Sequence, residues 1–144
     1  MNSEYSIKKT QIVIITALIS LAGVGIVLFG TYPVGSGITP DSIVYIGTAR
    51  NMTQGEGLTN FDGQPLITWP PLYPILLAAV DVLFHCDPVQ SANVINALLF
   101  GLTLFLSCWI IFQEISASPL LKILVVAMIF VSIPLFPVFA MTWS

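Results

Sequence analysis

Long apolar runs alternate with short polar segments along the chain, and their lengths set out the elements before any single residue is considered. Uncharged stretches run from Thr10 to Pro40, from Pro88 to Gln113 and from Ile123 to Ser144, or 31, 26 and 22 residues. Each exceeds the roughly 18 to 20 apolar residues that a helix needs to cross a bilayer. The pattern predicts spans over about 12–29, 92–112 and 121–140. A fourth stretch, Gly63 to Val80, is broken by Pro65, Pro70, Pro71 and Pro74. A crossing over 71–85 would be short and would carry Asp81 at a cost, so an interfacial or re-entrant helix is expected there.

The segment of about 31–90 differs from its surroundings. Thr39-Pro40-Asp41-Ser42 reads as a helix start: Thr39 can cap, Pro40 suits the first position, and Asp41 favours the positive end of the helix dipole. Ser42 to Gln54 would follow as a short helix that Gly55 and Gly57 stop. Helical spacing puts Ile43, Ile46, Gly47 and Arg50 on one side and Asp41, Tyr45, Thr48 and Met52 on the other. Phe61-Asp62-Gly63-Gln64 signals a turn, with a hairpin or tight loop over Thr59 to Ile67. Asp87-Pro88 leads into the second span, and Glu114 to Lys122 forms a short connection to the third.

Charge supplies the orientation. Lys8 and Lys9 precede the first span and no basic residue follows for forty positions, which places the N-terminus in the cytoplasm. With three spans Lys122 joins them inside and only Arg50 lies outside; a fourth span would split the basic residues evenly. A cleaved signal peptide shares the charged start, but an apolar core of 18 residues exceeds the usual 7 to 15. The expected class is an all-α integral membrane protein. About three transmembrane helices would flank an extracytoplasmic first loop with one or two juxtamembrane helices.

Composition agrees. Charged residues make up 8% of the chain and hydrophobic residues 56%, which excludes a soluble monomer. Four basic residues and a net charge of −3 leave no basic patch, so nucleic acid is not an expected partner. Cys86 and Cys108 have neither pairing nor metal-ligand spacing. Three spans bury little surface against one another, so further membrane helices are expected to complete a working site. No charged tail follows the third span. The reading is a single membrane domain, 1–144, that forms the N-terminal part of something larger.

Several residues could carry chemistry, each against a plainer role. Asp41 could accept a proton or bind a cation, although aspartate in a first turn is a common structural placement. Arg50 could recognise phosphate or snorkel towards headgroups, and it faces away from Asp41. Asp81 could face a polar cavity or water. Glu56 and Asp62 read as solvated loop carboxylates, and His85 lacks the two further ligands of a metal site. Asn51-Met52-Thr53 fits the glycosylation pattern, a short motif of low specificity. Trp69, Tyr73 and Trp143 read as interfacial aromatics. No cofactor follows from these residues, and a divalent metal has no ligand set behind it.

The order of the pieces resembles the N-terminal region of the polytopic GT-C glycosyltransferases, in particular the protein mannosyltransferase and aminoarabinose transferase group (glycosyltransferase family 39). The resemblance rests on Thr39-Pro40-Asp41-Ser42 with Tyr45, Ala49-Arg50-Asn51, Gly55-Glu56-Gly57, Trp69-Pro70-Pro71-Leu72-Tyr73-Pro74, and Asp87-Pro88 through Asn96-Ala97-Leu98-Leu99. It implies transfer of a sugar from a polyprenyl-phosphate donor to an acceptor outside the cytoplasm. It further implies Asp41 as the catalytic base; Tyr45, on the same side of the helix, and Arg50, a guanidinium suited to phosphate, are the candidate substrate-binding residues. Many members carry two adjacent acidic residues where this chain has Asp41 and Ser42, which puts a metal and a second acidic role in doubt. A small non-catalytic membrane subunit, whose outer loop contacts a partner, is the alternative reading. A transporter fragment would need Asp81 inside a true span.

Overall fold

The computed structural model describes residues 9–32 and 37–130. They form five helices: α1 (Lys9–Thr31), α2 (Pro40–Thr53), α3 (Leu72–Phe84), α4 (Pro88–Glu114) and α5 (Pro119–Phe130). Among the described residues there is no strand, and an isolated antiparallel bridge joins Thr59 and Pro65.

Two of the predicted spans are present at greater length than expected. At 1.5 Å per residue, the 23 residues of α1 and the 27 of α4 reach about 35 and 40 Å, beyond a hydrocarbon core of about 30 Å. The extra turn at the start of α4 has a local cause. The Asp87 carboxylate accepts a hydrogen bond from the Val89 N–H at 2.9 Å, and Pro88 takes the first helical position, where no N–H is needed. Only 17% of the most apolar window of α1 is buried, unlike the core helix of a soluble domain. Thr10–Thr31 and Pro88–Gln113 are therefore two helices long and apolar enough to cross a membrane, and they mark the chain as membrane-associated.

α1 and α4 pack antiparallel along small residues. Ser20 and Val24 face Gly101, while Gly23 faces Phe100 and Leu104; Ile12 joins Cys108, Ile111 and Phe112 at the other end. Glycine lets the backbones approach until Ser20 Oγ donates to the Gly101 carbonyl at 2.7 Å. Thr16 and Thr31 bond the carbonyls of Ile12 and Val27 in their own helix, at 2.9 and 2.8 Å, so neither hydroxyl is left unpaired in an apolar setting. The far side of α4 presents Val94, Leu98, Leu102, Leu106 and Ile110 at four-residue spacing, all about half exposed.

The predicted connection of Glu114 to Lys122 is shorter than expected, because helix claims both of its ends. Ser118 Oγ accepts from the Leu121 N–H at 3.3 Å and Pro119 starts α5. Lys122 reaches back to donate to the Phe112 carbonyl at 3.0 Å, in the last turn of α4, where carbonyls lack helical partners and cations are favoured. α5 accounts for the first part of the span expected over 121–140; the remainder lies outside the described residues.

α3 occupies the stretch expected as an interfacial or re-entrant helix. Its 13 residues reach about 20 Å, too short to cross. It ends at His85 in the left-handed conformation (φ 54°), and residues 85–87 join it directly to α4.

Candidate functional site

The site sits where α2 and α3 pack against the first turns of α4. α2 begins with a reciprocal cap: Ser42 N–H donates to Thr39 Oγ1 at 3.4 Å, and Ser42 Oγ accepts from Thr39 N–H at 2.9 Å. Ser42 is fully buried in this role. The position that would carry a second acidic residue in the GT-C resemblance thus closes the helix start here. Asp41, half-buried, stands in the first turn between Pro40 and Ser42.

α2 ends as its glycines require. Gly55 takes φ +86°, its N–H reaches the Met52 carbonyl at 3.2 Å, and the Glu56 N–H reaches the Asn51 carbonyl at 2.8 Å. The chain then folds into the expected tight loop, shifted by one residue. Its turn is Asn60 to Gly63, closed by Gly63 N–H to the Asn60 carbonyl at 2.9 Å. Two residues of α2 hold the loop down. Gly47 admits the Phe61 backbone, and a Cβ there would stand 2.9 Å from Phe61 Cβ. One turn on, Asn51 Nδ2 donates to the Asn60 carbonyl at 2.7 Å and to Thr59 Oγ1 at 3.1 Å. The side chain that fits a glycosylation pattern is therefore engaged in pinning the loop.

The side of α2 expected to carry polar chemistry is the side that packs inward. Tyr45, 4% exposed, joins Ala49, Tyr73, Leu77, Ala78, Ala92 and Ile95 in the core of this unit. Its ring meets Trp69 and Tyr73 edge-on, with centroids 6.0 and 5.4 Å apart. Burial raises the Tyr45 pKa, and the Asp41 charge one turn before raises it further. Thr48, on the same side, is completely buried, and its Oγ1 has no hydrogen-bond partner among the described residues. Such an orphan costs stability and is unusual in a packed interior. Asp41 and Met52, at the two ends of that side, are only partly buried.

Arg50 lies on the opposite side, as its spacing from Asp41 predicts, and it does not stand free. Its Nη2 donates to Asp87 Oδ2 at 2.8 Å and Oδ1 at 3.1 Å, and its Nε to Oδ2 at 3.2 Å. Asp87 therefore caps α4 and clamps α2 at once. Partial burial pushes its carboxyl up, but the Val89 N–H, the Arg50 hydrogen bonds and the Arg50 charge outweigh this and hold it below the usual range. The pair is nearly half exposed, so its worth lies in geometry more than in energy.

Deeper in, Tyr73 Oη donates to Asn96 Oδ1 at 2.9 Å, both groups buried. Burial raises the Tyr73 phenol to about 12, assisted by Tyr45. The fold thus favours neutral Tyr73. That stabilisation is complete below pH 10, the ordinary phenol value, and is lost as pH rises from 10 to 12. At roughly 1.4 kcal/mol per pH unit its loss amounts to about 3 kcal/mol. Unfolding midpoints in detergent, taken across this range alongside tyrosinate absorbance, should fall in wild type and stay flatter in Tyr73→Phe.

Asp81 sits half-exposed near the end of α3, and Glu56 and Asp62 are exposed in the loop. Among the described residues no three His, Cys, Asp or Glu side chains come together as a metal site would require. Asp87, Asn96, Asn51 and Ser42 have structural roles that spacing alone did not assign. Searches against protein-family models, curated proteins and solved structures found nothing that matches the chain.

Proposed function

We propose that the chain is part of a GT-C type glycosyltransferase, which transfers a sugar from a polyprenyl-phosphate donor on the extracytoplasmic face of the membrane. In this reading α1, α4 and the helix begun by α5 cross the bilayer with the N-terminus inside, and the α2–α3 unit lies outside. The acceptor hydroxyl oxygen attacks the anomeric carbon while Asp41 takes its proton. The bond to the donor phosphate breaks with its electron pair, and polyprenyl phosphate leaves. The observation that carries the reading is the setting of Asp41: a half-buried carboxylate in the capped first turn of a helix fixed to α3 and α4, with its neighbours Tyr45 and Thr48 buried. Tyr45 supports it from behind through the aromatic cluster, and Arg50 holds α2 on Asp87. The test compares wild type with Asp41→Asn in membranes that contain the complete reading frame, supplied with a polyprenyl-phosphate sugar. Unchanged turnover in Asp41→Asn removes Asp41 from the mechanism, and absence of transfer in wild type removes the reading.

The commitment of Arg50 and Tyr45 to internal contacts favours a second reading, a non-catalytic membrane subunit. It predicts stable co-purification with another membrane protein and no transfer activity that depends on Asp41.

A further inference from the structure

We propose that the groove between the end of α2 and the outward face of α3 holds an acyl chain of a bilayer phospholipid. The groove is open, has a volume of about 460 Å³, and is lined by Met52, Thr53, Ile75, Ala78, Ala79, Val82 and Leu83. The lining has no charge. Its single hydroxyl, Thr53 Oγ1, already donates to the Arg50 carbonyl at 2.9 Å. A sugar, a headgroup or a phosphate would find no free polar partner there, and its desolvation would go uncompensated. An acyl chain asks only for apolar contact.

Size and place narrow the occupant further. The volume lies in the lower part of the range for small-ligand pockets, and a helix 10–12 Å across would not seat between two side chains of α2 and one face of α3. The face continues beyond the groove as exposed Leu72 and Leu76, an apolar surface unsuited to water. Val82 and Leu83 come six and five residues before Pro88, where the apolar window of α4 begins, so the groove adjoins the surface that the bilayer itself covers. A phospholipid chain is the apolar molecule present there in excess. The proposal needs a membrane but not a glycosyltransferase, so the two stand or fall separately.

The test reconstitutes the chain in phosphatidylcholine vesicles doped with phosphatidylcholine that carries a photoreactive diazirine in its acyl chain, and maps adducts by mass spectrometry. Adducts are expected on Met52, Ile75, Val82 and Leu83 at a level comparable with Leu98 and Leu102 on the open side of α4. Ala79→Trp, which places a large ring in the groove, and the milder Ala79→Leu should lower the groove adducts several-fold and leave those on α4 unchanged. Groove labelling no greater than that of loop residues 56–64, or equal labelling in Ala79→Trp, overturns the proposal. Displacement of the adducts by an equal amount of polyprenyl phosphate assigns the groove to an isoprenoid and overturns the phospholipid. A water-soluble thiol reagent that modifies Ala79→Cys as fast as Gln64→Cys shows a water-filled groove and also overturns it.

Discussion

A valine at Gly101 is expected to force α1 and α4 apart and to cost roughly 2–4 kcal/mol of stability. A Cβ there would stand 2.5 Å from Val24 Cγ2, 3.1 Å from Ser20 Oγ and 3.2 Å from the Ser20 carbonyl. The last of these is backbone and cannot swing aside. A β-branched side chain in a helix is held to nearly one rotamer, so valine cannot turn its methyl groups away. Overpacking of this kind costs about 1–3 kcal/mol, and separation also breaks the bond from Ser20 Oγ to the Gly101 carbonyl, worth about 1 kcal/mol. The control is Gly25→Val, the same chemistry on α1 where an added Cβ meets nothing within 4 Å. Equilibrium unfolding in detergent should separate the two variants clearly; equal stabilities would show that close approach at Gly101 does not hold the pair together.

Asp41→Asn is expected to slow sugar transfer by about 10² to 10⁴, the usual contribution of a positioned general base. Asparagine keeps the size of the side chain and forfeits about 0.3–1 kcal/mol of interaction with the helix dipole, so α2 should persist with its Thr39–Ser42 cap intact. Loss of a proton acceptor lowers kcat with little change in KM, because the interaction develops only in the transition state. A variant whose KM rises while kcat holds would instead make Asp41 a ground-state contact. Circular dichroism should match wild type in either case, with the unfolding midpoint lowered by no more than that small loss, which separates lost chemistry from a lost fold.

Much of the framework was legible because it depends on local signals. Thr39, Pro40 and Asp41 announced the start of α2, and Gly55 its end, through backbone needs that no distant residue can change. Charge-free length announced α1 and α4. The inward side of α2 was a different matter. It carries Asp41, Tyr45 and Thr48, while Ile43 on the other side is exposed, so hydrophobicity points weakly and in part the wrong way. Tertiary contact decided it: Tyr45 is held by Trp69 and Tyr73, which the chain supplies more than twenty residues later. Arg50 with Asp87 illustrates the same limit. Each had a local reading, headgroup contact for one and helix entry for the other, and 37 residues separate two partners that only the fold brings together. Ser42 came closest to being readable, since a hydroxyl three positions after a capping threonine can complete a reciprocal cap.

The packing of α2 and α3 on the first turns of α4 has a consequence for synthesis. Chains emerge from the N-terminus, so α2, its loop and α3 are made before Ala92, Ile95 and Asn96, the surface that completes their core. α1 waits for the same helix, since Ser20 meets its carbonyl 81 residues downstream. Until α4 leaves the ribosome, the inward faces of Tyr45, Tyr73 and Leu77 have nothing complete to bury against. A nascent chain stopped before Pro88 would hold its caps and turns with its core incomplete, and the arrival of one helix would supply what both halves of the molecule lack.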